Sequence, residues 1–302
     1  MQKVREIYNQ KNFFIFSIIL ILFFHNIRGN TDNNDEDFNQ LIVGGYRNDD
    51  SLLTKFIVSI RIGTYQIAYG DNDICGGAII SKRTILTAAH CIVFINSTEK
   101  IPISELSVIA GSRFRLRATT TTQKMAVSKS YVHPQYDPNI SKADIGILQL
   151  QDSLIFDGRT VMSISIAKEK PGLNIKCTIG GWGSIYYLGP SPDNILFADL
   201  QILHNVVCEA FTKNFSKGMM CAVNRRTPEM DSCQGDSGGP LICNELLCGV
   251  VSHGIGCGWG YPGIYTDVAY YRTWIISHSG TGQSNYLNKF IVIELLLFLF
   301  LL

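Results

Sequence analysis

Between residues 52 and 265 the chain alternates short apolar or β-branched runs with Gly, Pro, Asn and Asp residues that favour turns. Runs of this kind lie at residues 56–60, 78–80, 145–148 and 247–251. Short strands at close spacing, separated by turn signals, are typical of an all-β sandwich or barrel. The pattern therefore predicts an all-β domain.

A helical period appears near the end of this region. Four residues are spaced i, i+3, i+4 and i+7, namely Tyr271, Trp274, Ile275 and His278. This spacing places them on one face of a helix. It predicts one amphipathic α-helix that closes the domain.

An apolar run, FFIFSIILILFF, occupies residues 13–24 and follows several basic residues. Its 12 residues are fewer than the roughly 20 that a transmembrane helix needs. We therefore expect a secretory signal peptide over residues 1–29, with a retained signal anchor as the alternative. Residues 30–41 would then form an acidic pro-segment, which is too polar to bury a core of its own.

A second apolar run lies at residues 290–302 and is interrupted by Glu294. Small residues at 279, 280 and 282 and a polar stretch at 283–289 precede it, in the order that a glycolipid-anchor signal requires. We expect residues 280–302 to be a hydrophobic tail that acts as such a signal. An uncut tail that associates with a membrane, or a tail without a role, are the alternatives.

The charge balance excludes one class of partner. The 302 residues contain 26 Lys and Arg and 25 Asp and Glu residues, and no basic stripe that would favour nucleic acid.

The nine cysteines fit an exported, disulfide-braced protein with one cysteine left over. Three N-x-S/T sequons predict glycosylation after export, at Asn96, Asn139 and Asn214.

Three short motifs carry residues suited to catalysis. Ser237 lies in GDSGGP at residues 235–240, where glycines allow backbone N–H groups to converge on a developing oxyanion. A serine hydroxyl also needs a neighbouring base. His90 lies in TAAHC, and Asp144 heads an apolar strand, where a buried carboxylate needs a partner. Taken singly, each motif has a structural alternative: an ordinary turn serine, a surface or core histidine, and a capping aspartate.

With GWG at residues 181–183 and PGIY at residues 262–265, these motifs resemble those of the chymotrypsin/trypsin family of serine proteases. The resemblance covers about residues 42–278 and keeps the family's chain order of histidine, aspartate and serine. It implies that Ser237 is the nucleophile, His90 the general base and then acid, and Asp144 the carboxylate that orients His90. The N–H groups of Gly235 and Ser237 would form the oxyanion hole. The implied fold has two six-stranded antiparallel β-barrels and a C-terminal α-helix.

The resemblance also implies how the cysteines pair. The expected disulfides are Cys75–Cys91, Cys177–Cys243, Cys208–Cys221 and Cys233–Cys257. Cys248 is then unpaired. Within an apolar strand it is expected to behave as a small hydrophobic residue, and a reactive or intermolecular thiol is the alternative.

By the same resemblance, substrate specificity is expected to depend on Asp231, six residues before Ser237. In trypsin-like members an aspartate at this place lies at the base of the primary pocket, which implies cleavage after Arg or Lys. An exposed loop aspartate is the alternative. Ser252, Gly254 and Gly263 are the other expected substrate-binding residues, and the two glycines would leave the pocket open.

The resemblance also predicts a site of activation, IVGG at residues 42–45. By resemblance, a cut before Ile42 frees an α-ammonium that pairs with Asp236 and starts a protease domain at residues 42–279. Leu41 stands where the family usually has a basic residue. We therefore expect an activating protease of apolar or broad specificity, and no efficient self-activation.

The resulting hypothesis is a monomeric, secreted or surface-tethered endopeptidase acting on protein or peptide substrates. No cofactor and no metal is expected, because residues 111–123 contain no acidic residue for a calcium loop. Proteinaceous inhibitors are candidate partners. A non-catalytic homologue used as a binding module is the alternative, supported by Leu41 and by His253, which replaces a usual tryptophan. The hypothesis of a membrane-bound adhesion or receptor protein would be supported only by the two terminal apolar runs.

Overall fold

A computed structural model describes residues 44–64 and 67–280 of the chain. The expected signal peptide, the pro-segment, Ile42 and all but the first residue of the hydrophobic tail lie outside the described residues. Within the described part, no helix is long and apolar enough to cross a membrane.

The first half of the described chain forms a closed antiparallel barrel with the strand order β1-β2-β3-β6-β5-β4. Its strands are β1 (Ile57–Ile62), β2 (Asp73–Ser81), β3 (Thr84–Thr87), β4 (Leu106–Ala110), β5 (Gln123–Val132) and β6 (Gly146–Leu150). The apolar runs detected in the sequence at 56–60, 78–80 and 145–148 overlap β1, β2 and β6.

The second half forms another closed antiparallel barrel, with the order β10-β11-β12-β9-β8-β7. Its strands are β7 (Lys176–Gly181), β8 (Leu196–Ile202), β9 (Met219–Val223), β10 (Pro240–Cys243), β11 (Leu246–His253) and β12 (Gly263–Asp267). Closure pairs every strand on both sides and removes the exposed edges of an open sheet. The predicted pair of six-stranded antiparallel barrels is confirmed.

Two α-helices lie within the described residues, α1 (Asn205–Phe211) and α2 (Arg272–His278). Helix α2 confirms the predicted C-terminal helix. Tyr271, its N-cap, and Ile275 are buried and join the core of the first barrel. Helix α1 was not predicted. Short 3₁₀ helices occur at Leu52–Phe56, Ala89–Cys91 and Ile103–Glu105.

Four disulfides brace the described chain: Cys75–Cys91, Cys177–Cys243, Cys208–Cys221 and Cys233–Cys257. These are the pairs that the family resemblance implies. Cys248 is free and buried in the core of the second barrel. Burial raises the pKa of its thiol to about 11. These surroundings agree with its interpretation as a small apolar strand residue, since a buried thiol of high pKa forms little thiolate.

A cluster of large apolar side chains joins the two barrels. Phe197 of β8 is 1% exposed and packs with Ile57 of β1 and Trp182. The backbone of Phe197 also exchanges two hydrogen bonds of 2.9 Å with Tyr46, near the start of the described chain. Phe197 therefore fastens the amino-terminal segment as well as the junction between the barrels.

We expect Phe197→Ala to lower the free energy of unfolding by about 3–5 kcal/mol, because it leaves a cavity where both barrels meet. Urea unfolding of the purified protein measures this change. The control is Phe94→Ala, since Phe94 is 42% exposed and its loss should change stability by less than about 0.5 kcal/mol. Equal losses in the two variants would contradict this account of the junction.

Candidate active site

His90 is placed by the first barrel. It follows β3 and lies in the 3₁₀ helix Ala89–Cys91, directly after the fully buried Ala88 and Ala89. The disulfide from Cys91 to Cys75 ties this turn to β2. Small side chains before the histidine and a covalent link after it hold the ring at the junction of the barrels.

Asp144 holds His90 through two hydrogen bonds. The carboxylate is 1% exposed. One oxygen accepts the His90 backbone N–H at 3.0 Å, and the other lies 2.8 Å from the ring nitrogen Nδ1. Because an ionised carboxylate only accepts hydrogen bonds, Nδ1 must carry a proton. The other ring nitrogen, Nε2, is left to accept a proton.

The pair is electrostatically coupled. Burial of His90 lowers the pKa of its ring, but the charge of Asp144 and its hydrogen bond raise it by more, so the pKa lies above the usual 6.5. Burial raises the pKa of Asp144, but the charge of His90 and hydrogen bonds from His90 and Ser252 bring it below the usual 3.8. The stable arrangement is therefore an ionised Asp144 facing His90.

Asp144 is also held by the second barrel. Ser252 of β11 donates a 2.6 Å hydrogen bond to the carboxylate, and Thr266 of β12 donates one of 2.7 Å to the Asp144 backbone carbonyl. The sequence predicts Ser252 as a substrate-binding residue and gives no signal for the role of Thr266. The Ser252 hydroxyl lies against Asp144, so Ser252 supports that carboxylate. A part for Ser252 in substrate binding stays a prediction.

His253, the residue in place of the usual tryptophan, extends this network. Its Nδ1 lies 3.1 Å from the Ser252 hydroxyl. That hydroxyl gives its single proton to Asp144, so His253 Nδ1 must be the donor. Burial lowers the pKa of the half-buried His253 below the usual 6.5; the charge of Asp144 acts in the opposite direction, and the charge of His90 lowers the pKa further. The ring is therefore neutral near pH 7.

Ser237 comes from the second barrel and reaches the first. Its backbone carbonyl accepts a 2.7 Å hydrogen bond from Gly76 N–H in β2. The next residue, Gly238, has φ +77° and lies so close to Thr87 that a side chain would collide with it. This contact brings Ser237 to the residues that precede His90.

Within the described part of the chain, the Ser237 hydroxyl makes no hydrogen bond to His90, whose Nε2 lies 3.7 Å from Cys91 Sγ. Hydrogen bonds between a nucleophile and its base are often long before substrate binds and shorten in the complex. The arrangement is therefore compatible with a Ser–His pair that closes on substrate.

The backbone around Ser237 forms a tight turn. Gly235 has φ +102°, which residues with a side chain rarely adopt, and the turn is closed by Asp236 N–H to Cys233 carbonyl at 3.0 Å. Neither the Gly235 nor the Ser237 N–H donates to another group among the described residues. Two free donors beside a serine hydroxyl are suited to an oxyanion.

Asp236 is buried directly beneath this turn. Its two oxygens accept hydrogen bonds from Gly183 N–H at 2.8 Å and Cys233 N–H at 2.9 Å. Burial raises the pKa of Asp236 to about 6. A side chain at Gly181 or Gly183 would overlap the carboxylate, which explains the glycines of the GWG motif. No described cation pairs with Asp236, and Ile42 lies outside the described residues.

Asp231 is a second buried carboxyl of this region. It is 7% exposed and accepts a 2.8 Å hydrogen bond from Ser232 N–H. Burial raises the pKa of Asp231 to about 7, although hydrogen bonds from Ser232 and Gly258 act in the opposite direction. A methyl group at Gly263 would lie 3.0 Å from the carboxylate, whereas one at Gly254 would meet only a carbonyl at 3.6 Å.

Two further predictions concern glycosylation and metal binding. The sequon residues Asn96, Asn139 and Asn214 are exposed, as glycosylation requires. In the described chain one group has metal-ligand spacing, Cys75, His90 and Cys91. The two sulfurs of that group are joined in a disulfide, so it offers no thiolate for a metal.

Comparisons with known proteins identify relatives of the whole domain. The trypsin family model matches residues 42–275. Hypodermin-B of Hypoderma lineatum is 38% identical over 245 residues, 79% of this chain and 87% of that protein. Trypsin zeta of Drosophila erecta is 34% identical over 246 residues, 78% of this chain and 84% of that protein. The solved structure of neuropsin, a serine protease expressed in the limbic system of mouse brain, has a TM-score of 0.64 and 31% identity, covering 74% of this chain and 94% of that chain.

We expect Asp144→Asn to move the pKa of His90 from above 6.5 to below it. The substitution removes the negative charge that raises the pKa, while the burial that lowers it remains. NMR titration of the His90 ring protons measures the change. Asp152→Asn, at an exposed carboxyl, should leave the titration as it is, and a His90 pKa that stays above 6.5 without Asp144 would refute the coupling.

Proposed function

The chain belongs to the trypsin family and is a serine endopeptidase, and we propose that it cleaves peptide bonds after Arg or Lys through Ser237, His90 and Asp144. The observation that carries this proposal is the ionised, buried Asp144 bonded to His90 Nδ1. It fixes the tautomer in which Nε2 is free to act as a base. Proton transfer by such a positioned histidine is what a serine nucleophile needs.

The proposed reaction proceeds in two halves. Ser237 Oγ attacks the substrate carbonyl while His90 Nε2 takes the hydroxyl proton, and the Gly235 and Ser237 N–H groups bind the oxyanion. His90 then gives its proton to the leaving amine, and an ester on Ser237 remains. Water attacks this ester, His90 accepts its proton and returns it to Ser237, and the carboxylic product leaves.

Asp231 supports the proposed preference for Arg or Lys. Its buried carboxylate has a raised pKa, a methyl group at Gly263 would lie 3.0 Å from it, and it has no cationic partner among the described residues. A guanidinium or ammonium group from a substrate would supply that partner and lower the cost of the buried charge.

The proposed function also includes export from the cell and activation by a proteolytic cut. Four disulfides are formed in oxidising compartments, which supports secretion. We propose a signal peptide at 1–29, glycosylation at the exposed sequons, and a candidate membrane anchor in the tail. Activation would follow a cut between Leu41 and Ile42, with the new ammonium pairing with Asp236. A trypsin-like specificity does not favour a cut after leucine, so another protease would make it.

The alternative of a non-catalytic binding module is less well supported. Loss of a triad residue is the usual sequence sign of such a homologue, and all three residues are present here. His253 contacts the Ser252 hydroxyl and leaves the bonds between Asp144 and His90 in place.

A tagged fluorophosphonate should label Ser237 only after the precursor has been cut before Ile42. The reason is that the reagent needs a nucleophile activated by His90 and an ordered oxyanion turn. Peptide mapping locates the label, and Ser237→Ala is the control that should remain unlabelled.

The same preparation tests self-activation. The cut enzyme, mixed with fresh precursor, should not produce the Ile42 terminus, whereas a protease of apolar specificity should. Absence of label in correctly cut enzyme would sink the catalytic proposal. Rapid self-cutting would sink only the activation proposal.

Replacement of Asp231 by Ser should lower kcat/KM for Arg and Lys reporter peptides by at least about a hundredfold, because the positive charge of the bound Arg or Lys side chain would be buried without a carboxylate partner. Hydrolysis of a Leu reporter should fall far less. Asp152→Ser is the control and should keep the wild-type preference.

The pH dependence is a second readout of the same substitution. The pKa of Asp231 is about 7 when no cation is bound to it. A small amidinium inhibitor should therefore bind more weakly as the pH falls through 7, because the carboxyl becomes neutral. The Asp231→Ser variant should lack this pH dependence. An Arg preference that survives the substitution would contradict the proposed pocket.

A further inference from the structure

Ser252 and His253 lie at a β-bulge in β11. In the pairing of β11 with β12, Val251 lies opposite Tyr265. The next paired residue of β11 is His253, opposite Ile264, so Ser252 is an extra residue. Consecutive side chains of a regular strand point to opposite faces, whereas a bulge breaks this alternation and redirects a side chain. The bulge therefore allows two neighbouring side chains to meet, and His253 Nδ1 lies 3.1 Å from the Ser252 hydroxyl.

The residue before the bulge is bonded to the turn that carries Ser237. Val251 N–H donates to the Gly239 carbonyl at 2.9 Å, and the Val251 carbonyl accepts a hydrogen bond from Gly238 N–H at 2.8 Å. Gly238 directly follows Ser237. The bulge therefore begins beside the backbone bonds that hold the proposed nucleophile.

One oxygen of Asp144 connects the two histidines of the site. Asp144 Oδ2 lies 2.8 Å from His90 Nδ1 and accepts the Ser252 hydroxyl at 2.6 Å. The same hydroxyl is the group that His253 Nδ1 contacts. A single hydroxyl therefore separates His253 from the oxygen that holds His90.

The Ser252 hydroxyl is held by a donor on one side and an acceptor on the other. It has one proton and two lone pairs. The proton goes to Asp144, and a lone pair accepts the proton on His253 Nδ1. Because Ser252 is only 7% exposed, little water is available to replace that donor. A hydroxyl that accepts one hydrogen bond and donates another has a fixed orientation, and each bond strengthens the other.

We propose that His253 is a positioning residue for the reaction, because its Nδ1–H holds the Ser252 hydroxyl on Asp144 and so keeps the carboxylate aligned with His90. It acts through Ser252 and Asp144, not on the substrate. The inference rests on the proposed function, since it matters for catalysis only if His90 is the base. The residue that departs from the family's usual tryptophan then belongs to the hydrogen-bonded support of that base.

Two substitutions of His253 in the cut enzyme test this role with an Arg reporter peptide. His253→Phe keeps a ring but removes the donor, and kcat should fall about threefold to tenfold while KM changes by less than about twofold, because the net contribution of one hydrogen bond corresponds to a factor of this size. His253→Asn can place an amide N–H where Nδ1 stood and should recover most of kcat. The matched control is His204→Phe, at the exposed N-cap of α1, which should leave kcat as it is. Equal kcat in the wild type and His253→Phe, or equal losses in the Phe and Asn variants, would overturn the proposal.

A double-mutant cycle with Ser252→Ala shows whether His253 acts through the hydroxyl. In the Ser252→Ala background, His253→Phe should change kcat by less than about 1.5-fold, because the partner of Nδ1 is already gone. A histidine that only shapes the substrate wall would instead raise KM and keep its full effect in that background, which would contradict the proposal. Active-site titration with fluorophosphonate normalises each variant to its folded, labelled fraction.

The tautomer of His253 is a readout that does not depend on turnover. NMR of the cut enzyme with ¹⁵N-labelled histidine at pH 8 should show a proton on His253 Nδ1 and none on Nε2. The opposite tautomer would overturn the proposal, because Nδ1 could then donate nothing to Ser252. Absence of fluorophosphonate labelling and of Arg hydrolysis in the wild type would instead refute the proposed function on which the role of His253 rests.

Discussion

The buried carboxylate of Asp144 is the constraint on which the rest of the site depends. An ionised group without solvent is costly unless it is paired and hydrogen-bonded. Asp144 meets that condition only where two barrels come together, because His90 comes from the first and Ser252 from the second. Thr266 adds a bond to its backbone. The contacts that stabilise the buried charge of Asp144 also fix the tautomer of His90. The stability of the fold and the candidate chemistry therefore depend on the same hydrogen bonds.

Two other buried carboxyls differ from Asp144 in a way that explains their proposed roles. Asp144 faces His90 and its pKa is lowered, whereas burial raises the pKa of Asp231 to about 7 and of Asp236 to about 6. No described cation pairs with either of the latter two. A positive charge that binds after folding would stabilise the ionised form of both carboxyls. A substrate side chain for Asp231 and a freed amino terminus for Asp236 are the cations that the function would provide.

Short apolar runs predicted an all-β domain and one helical period predicted the terminal helix, because both are local signals, whereas the pair of six-stranded barrels was implied by the family resemblance of the motifs. The roles of the site residues stay predictions. The sequence did not predict helix α1, whose seven residues are too few for a clear period. It also missed the role of Thr266, since that contact joins residues 122 apart in the chain. The link from His253 through Ser252 to Asp144 likewise appears only when β11 meets the loop before β6. Hydrogen bonds between distant segments leave no periodic trace.

The glycines around Ser237 have their main explanation in the approach of the two barrels. A side chain at Gly76 of β2 would lie 2.9 Å from Gly239, and one at Gly238 would overlap Thr87. With a methyl group at either place, the backbones would have to separate. Separation would draw Ser237 away from the turn that carries His90, and would lengthen the Ser252 bond to Asp144. The glycine motif therefore sets the distance between the barrels, and through it the distance between Ser237 on one and His90 on the other.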